Sequence, residues 1–409
     1  MDRVAAVAVL LDNPVRSYAW GSLTVLADLL GRAPSGEPEA ELWVGAHPGA
    51  PSTVVGEGRT LDDYIAAAPE ATLGDAVVRR FGPRLPFLLK ILAVERPLSV
   101  QVHPTIEQAG EGYAAEDAAG IALDSPQRSY RDRNHKPEMV VARTEFEALL
   151  GFADPLARAE LLRSCHSEAL VHAGTVLRSP GGLERLVRQW LSLPDAEVDA
   201  LVADMTSEAA ARTDEGHLGL VHRLAKEYPG DRGLLLALLM RHVRLQPGEA
   251  VFVPAGVPHA YLSGVAIEPQ ASSDNTLRAG LTAKHVDTAE VLRLLRYEPD
   301  GAMPIQPRAG GAGEQVYPVP GLDEFVLSSI DLSAAGTPVR TPGVVLVVAG
   351  TATLTTSEST LEVGQGQAVF VSAADRSPRL YGDGVAFAVT TGSGSAATVE
   401  HHDANAEGA

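Results

Sequence analysis

Gln101, His103, Glu138 and His259 offer one amide oxygen, two imidazoles and one carboxylate, on three short pieces of a 409-residue chain. The first piece is Gln101-Val102-His103-Pro104. In a strand, positions i and i+2 share a face, so Gln101 and His103 project together, Val102 faces away, and Pro104 ends the pairing. The second is Asn134-His135-Lys136-Pro137-Glu138. Pro137 holds Lys136 extended, which puts Lys136 and Glu138 on one face, a cation two residues from a carboxylate. The third runs from Gly248 to Tyr261, with a turn at Pro254-Ala255-Gly256 and His259 just beyond it. A donor set of nitrogen and oxygen suits a divalent metal of borderline softness, zinc above all, with room left for water or substrate. Any one of these histidines alone is more often a packed or capping residue. The three pieces together say more, because strands of one small barrel can point side chains at a common interior.

Two further features carry positive charge. The stretch Glu268 to His285 is polar, has no helical stripe, and contains Arg278 and Lys284. It fits either a solvated loop or a mobile segment that brings cations to an anionic ligand. Lys90 sits inside Phe87-Leu88-Leu89-Lys90-Ile91-Leu92. A lysine in such a run is costly to bury without a partner, and it is expected to face a phosphate or the metal pocket. His166, His172, His217, His222 and His242 read as surface or helix-face residues, and His401-His402 as a loose tail.

The elements that must position these groups follow from periodicity. Up to about residue 152 short β-rich runs such as Phe87 to Ala93 and Leu98 to Val102 alternate with Pro and Gly, with short helices expected at 61–68 and 106–121. At Asp154-Pro155 an N-cap residue precedes a proline at the first helical position. Leu183, Leu186, Val187, Trp190 and Leu191 then form a stripe, repeated by Val198, Leu201, Val202 and Met205 and by Leu220, Val221, Leu224 and Tyr228. That spacing is a block of amphipathic helices over 154–242. Strands resume at Ala250, and an all-β region follows residue 300. Residues 248–255, Gly-Glu-Ala-Val-Phe-Val-Pro-Ala, and 366–373, Gly-Gln-Ala-Val-Phe-Val-Ser-Ala, agree at six of eight positions. We read them as a duplicated β-barrel, with ligand chemistry in the first copy only.

Composition excludes several classes. The net charge is −19 and no basic run occurs, which argues against nucleic acid as a partner. Cys165 is the single cysteine, so neither a disulfide framework nor a multi-thiolate zinc site is possible. Met1 to Leu11 lacks the pattern of a signal peptide, and the apolar run Leu234 to Met240 is far shorter than the roughly 18 residues of a membrane span. A cytoplasmic protein without membrane partners is expected.

The assembled motifs resemble type I mannose-6-phosphate isomerases, zinc enzymes of the cupin superfamily. The likeness runs from Tyr18-Ala19-Trp20-Gly21 through Glu41-Leu42-Trp43, Lys90, Ser99 to Pro104, and His135-Lys136-Pro137-Glu138. It closes with Pro258-His259-Ala260-Tyr261 and Asp274-Asn275-Thr276-Leu277-Arg278-Ala279-Gly280-Leu281-Thr282. The resemblance implies a mainly β fold with a helical insertion, made of two cupin-type jelly-roll barrels and an α-helical domain. The catalytic barrel would take residues 1–153 and 243–300, the helical insertion 154–242, and a degenerate barrel 301–409. It further implies one zinc per chain on Gln101, His103, Glu138 and His259. Arg278 and Lys136 would be catalytic, and Lys90, Ser99, His135, Asp274 and Lys284 would line the substrate pocket. No second metal is expected, since Ser377 stands where the second barrel would need a histidine.

The implied reaction is interconversion of D-mannose 6-phosphate and D-fructose 6-phosphate through a cis-enediol, supplying mannose 6-phosphate for GDP-mannose and glycan synthesis or for mannose catabolism, by a monomer. A zinc ion and cationic side chains suit charge developing on sugar oxygens. The residues do not single out the proton-shuttling base: His135, Asp274, a lysine and metal-bound hydroxide all stay open. Two rival readings are a metal-dependent bicupin oxidoreductase and a non-catalytic sugar-binding cupin. The cations Lys136, Arg278, Lys90 and Lys284 favour a phosphosugar over an oxygenase.

Overall fold

The computed structural model describes residues 7–211, 216–333 and 336–392, so His401 and His402 lie outside the described residues. Its strands form an eleven-stranded and a ten-stranded sheet, both antiparallel in their ladders. The strand His259–Ala271 organises the first sheet. Its beginning pairs with Val100–Val102 and Phe146–Phe152, and its end with Phe87–Val94 and Glu138–Ala142. A register shift between Tyr261 and Ser263, followed by Gly264 at φ 108°, turns the corner between these two sets of partners.

Alternation along the strands sorts side chains between two cores. Leu92, Val140, Ala142 and Ala266 join Phe146, Val251 and Val253 inside the first sheet's curl. Leu89, Ile91, Met139, Val141 and Ile267 face outward and pack against Val344, Leu346, Phe370 and Phe387 of the second sheet. Both faces are covered, which is why Phe87–Val94 is apolar without alternation apart from Lys90, and buried throughout.

Helices cover the remaining face. Pro155–Arg163 begins at Asp154, whose side chain accepts the Leu156 N–H at 3.1 Å. The predicted stripes lie buried in Gly182–Leu191, Asp195–Ala211 and His217–Glu227, except that Tyr228 falls just past the last helix and is half-buried. They pack, through Gly233–Leu239, onto Val100, Val102, Leu149, Ala260, Leu277 and Ala279. Gly233–Leu239 is buried on every side, as an apolar helix without a polar face must be. Among the described residues no helix is long and apolar enough to cross a membrane.

The two copies of Ala-Val-Phe-Val are corresponding buried strands, Ala250–Val253 and Ala368–Val371. Each follows a turn with glycine in the left-handed region, Gly248 at φ 90° and Gly366 at φ 78°. The expected barrel boundaries differ in two places. Ala8–Asp12 and Thr53–Val54, assigned by sequence to the first barrel, belong to the second sheet, where Ala8–Asp12 pairs with Ala368–Val371. Met303–Ile305, assigned to the second barrel, pairs with Ala250–Val253 in the first. Alternation tells which face of a strand is buried but not which distant strand completes its ladder.

Candidate metal centre

Three strands bring the donor residues together. His259 opens the strand His259–Ala271 directly opposite Gln101, and Gln101 is also opposite Arg278 of Leu277–Gly280. Paired residues share a face, so Arg278, Gln101 and His259 form a row across three neighbouring strands. Val100 and Val102 point the other way, into the helical layer, and lock the orientation of Gln101. Glu138 opens Glu138–Ala142 opposite Val253 and Gln270.

At the centre, His103 Nε2 lies 3.3 Å from Glu138 Oε2 and His259 Nε2 lies 2.9 Å from Glu138 Oε1. The ligand-capable atoms of these three buried residues all lie within 4.8 Å of one another. Both imidazoles are pinned from behind. His103 Nδ1 meets the Asn275 carbonyl at 2.8 Å, and His259 Nδ1 meets that of Val257 at 3.1 Å. A carbonyl can only accept, so each Nδ1 carries the proton, and in the neutral ring each Nε2 presents a lone pair toward the carboxylate. Burial, reinforced by Lys136, pushes the His103 pKa down to about 3, so its ring is neutral at physiological pH. Two imidazole lone pairs facing a carboxylate repel one another unless a cation lies between them, and neutral nitrogen with anionic oxygen suits zinc. The residues fit the metal that the sequence implies. Gln101 lies beside His259 in the ladder, and its amide nitrogen approaches Ser99 Oγ at 3.4 Å.

Charged groups extend from this centre into the barrel. Lys136 Nζ is 3.2 Å from Glu138 Oε2 and 3.4 Å from His103 Nε2. Burial opposes the Glu138 charge, but the Lys136 ammonium beside it outweighs burial and holds the carboxyl well below its usual range. Tyr261 donates to Glu138 Oε1 at 2.8 Å. Beyond it Lys90 is 3.3 Å from Glu268 and 3.7 Å from Glu41, and it stands 5.0 Å from the centre of the Trp43 ring. Burial pushes the Glu268 carboxyl up to about 7, against the pull of Lys90. For Lys90 itself the order reverses, and Glu41 and Glu268 overcome burial to raise its pKa. The cation expected in the apolar run is therefore buried and doubly paired.

The other predicted residues occupy the rim. Arg278 is half-buried, and burial followed by the nearby Arg131 lowers its pKa. Lys284 is exposed, and burial of part of its chain, then Arg278 and Arg131, lower its pKa too. These three cations lie within electrostatic reach of one another, the environment an anion would seek. Asp274 faces His47, with Oδ1 3.7 Å from Nε2. His135 turns to Glu324, with Nε2 2.7 Å from Oε1.

The polar stretch from Glu268 is partly strand, Glu268 to Ala271 and Leu277–Gly280, and its end, Ala283 to His285, is exposed irregular chain. Glu268 and Gln270 are buried within the strand His259–Ala271, and Asn275 is fully buried. Asn275 accepts from Arg131 N at 2.7 Å and donates to the Asn134 carbonyl at 2.8 Å, joining the segment before Lys136 to the one before Arg278. Asp231, from the helical block, accepts from Leu281 N at 2.7 Å and Thr282 N at 3.0 Å. These bonds hold Leu281 at φ 52°, in the left-handed region that a branched side chain rarely enters.

Sequence reasoning missed Tyr261, Glu268, Glu41 and His47. Tyr261 was accessible, since it shares the i, i+2 face of His259. Glu268 was hidden because buried, mutually paired charges look the same in sequence as solvated ones.

The chain also compares closely with known proteins. A profile for the phosphomannose isomerase type I catalytic domain matches residues 9–154. Mannose-6-phosphate isomerase of Salmonella typhimurium is 40% identical over 382 residues, covering 90% of this chain and 95% of the relative. The enzyme of that name from Schizosaccharomyces pombe is 32% identical over 404 residues, covering 89% and 94%. A crystal structure of the Salmonella typhimurium enzyme bound to fructose 6-phosphate and zinc superposes with a TM-score of 0.86 at 37% identity, over 94% of this chain and 100% of that one. A zinc-bound mannose 6-phosphate isomerase superposes equally well, at TM-score 0.86 over the same shares. The fold is thus the mainly β, cupin-type architecture that the motifs implied. Since near full-length identity, a shared fold and a buried zinc-compatible His-Glu-His cluster coincide in one molecule, the chain belongs to the type I phosphomannose isomerase family.

Proposed function

We propose that the chain interconverts D-mannose 6-phosphate and D-fructose 6-phosphate as a zinc-dependent aldose–ketose isomerase. The observation that carries this reading is the convergence of His103, Glu138 and His259 with Lys136 Nζ at their edge. His103, Glu138, His259 and Gln101 hold one zinc ion. When bound, zinc supplies a Lewis acid that stabilises negative charge on sugar oxygens.

The chain's own residues do the rest. Isomerisation moves a proton between C1 and C2, and the barrier lies in the charge that develops on O1 and O2. Lys136 offers its ammonium donors at the inner end of the pocket, where that charge develops. Arg278, in the same row as Gln101 and His259, offers a planar fork of donors from the opposite strand. Lys284, with Arg278, gives the rim the local positive charge that a phosphate requires on a protein of net charge −19. Ser99, His135 and Asp274 line the approach. Lys90 acts from within the barrel: paired with Glu268 and Glu41, it sets the field behind Tyr261 and Glu138 rather than touching the phosphate.

The test is turnover of mannose 6-phosphate in an assay coupled to fructose 6-phosphate, with the zinc-loaded chain. Turnover that is lost on chelation and restored by zinc is expected. A zinc-loaded chain that binds the phosphosugar without converting it would leave the protein a sugar-binding cupin.

A further inference from the structure

A side chain just ahead of a second-sheet strand reaches the segment beside the site. Glu324 precedes the strand Val326–Asp331 of that sheet, yet its carboxylate lies 2.7 Å from the imidazole of His135, next to Lys136. Both groups are largely sequestered, with side chains 15% and 25% exposed. The turn that carries Glu324 is anchored on both sides. Phe325, fully buried, packs into the core shared by the two sheets. Asp323 pairs with Arg80 of the helix Asp75–Phe81, and its carbonyl accepts from Gly392 N at 2.9 Å. Glu324 is therefore a fixed point and not a loose surface acid.

His135 needs such a point. The residues before it are stapled by Asn275, which bonds Arg131, Asp132 and Asn134, and by Asp132, which accepts from Ser273 and Asp274. The strand that starts at Glu138 holds the chain after it. Between these anchors the ring of His135 has one hydrogen-bond partner among the described residues, the Glu324 carboxylate. An ionised carboxylate accepts only, so Nε2 carries a proton, which in the neutral ring leaves the lone pair on Nδ1. The same arrangement fixes the tautomer and ring plane of histidines wherever a carboxylate backs them.

We infer that Glu324 is a positioning residue for the isomerase reaction: it fixes the ring plane and tautomer of His135 and thereby holds the Asn134–Pro137 segment that presents Lys136. The inference rests on the proposed isomerase reading, in which His135 lines the pocket. The second sheet then does more than bury the back of the first, since the site is incomplete without it.

The test is a double-mutant cycle with Glu324→Ala, His135→Ala and both together, assayed for mannose 6-phosphate turnover, with zinc content and thermal midpoint measured on each. Glu324→Ala is expected to lower kcat/KM by about 10- to 100-fold with one zinc retained and an unchanged thermal midpoint. In the His135→Ala background the same change is expected to cost less than about twofold, because its target is gone. Glu324→Gln, which keeps an acceptor oxygen, should recover most of the activity. Should Glu324→Ala not fold, Glu324→Met keeps the volume without the acceptor and reads the same quantity. Wild-type activity in Glu324→Ala, or an equal loss in both backgrounds, overturns the inference. Absence of turnover in the wild-type zinc-loaded chain would instead overturn the isomerase reading.

Discussion

Gln101 and Arg278 stand directly opposite each other in the ladder between Val100–Val102 and Leu277–Gly280, and His259 stands opposite Gln101 on its other side. Neighbouring strands are about 4.8 Å apart, so the proposed arginine and the proposed metal ligand His259 are two strand spacings apart on one face. The donor fork of Arg278 and the metal are thus placed by one rigid ladder, without a loop between them.

If that ladder aims Arg278 at charge that forms only during the reaction, its loss must appear in turnover. Arg278→Ala is expected to lower kcat by two or more orders of magnitude with a near-normal KM. Arg278→Lys should remain poor, since a point charge does not reproduce the planar fork. Steady-state kinetics on mannose 6-phosphate check this; a raised KM with intact kcat would make Arg278 a phosphate clamp instead.

The metal centre predicts one zinc per chain. His259→Ala and Glu138→Ala should each lose it after dialysis against a chelator, because either removes a buried donor that holds the ion in an open site. Elemental analysis of reconstituted protein is the check. Two tightly held equivalents in the wild type, or retained zinc in the doubly substituted chain, would contradict the assignment.

Lys90 pairs with both Glu41 and Glu268. Lys90→Met should destabilise the fold by about 3–5 kcal/mol, the usual consequence of stranding a buried charge. Adding Glu268→Gln should restore much of that loss. Denaturant titration of the metal-free proteins measures both; equal stabilities for the wild type and Lys90→Met would show that the carboxylates simply take up protons.

Acid should destabilise the metal-free protein well above the carboxylate range. Burial lowers the pKa of His103 to about 3 and that of His217 to about 3. Each is therefore neutral when folded, while an unfolded histidine titrates near 6.5. A depressed folded pKa contributes stability that is full above 6.5 and is lost as pH falls toward 3. The slope is up to about 1.4 kcal/mol per pH unit for each histidine. His217 Nε2 bonds the Ala237 carbonyl at 3.0 Å, outside the metal centre, so His217→Asn should flatten the thermal midpoint between pH 6.5 and 5 in the metal-free chain. An unchanged pH dependence would exclude it as a source.

The sequence alone determined the features that depend on neighbours in the chain. Alternation turned Val100 and Val102 toward the helices and away from Gln101, Lys136 stands beside Glu138 across Pro137, and the 3.6-residue stripes produced helices where expected. Motif resemblance then supplied the family and its metal. The tertiary structure decided what depends on distant partners. It moved Ala8–Asp12 to the second sheet, because an apolar strand does not encode which ladder it completes. It buried Glu268 against Lys90 within the barrel wall, because only assembled neighbours can offset the cost of burying a charge. And it brought Glu324 to His135 across 189 positions, a contact of the kind local periodicity cannot report, since nothing in either residue's own surroundings changes until the two sheets pack.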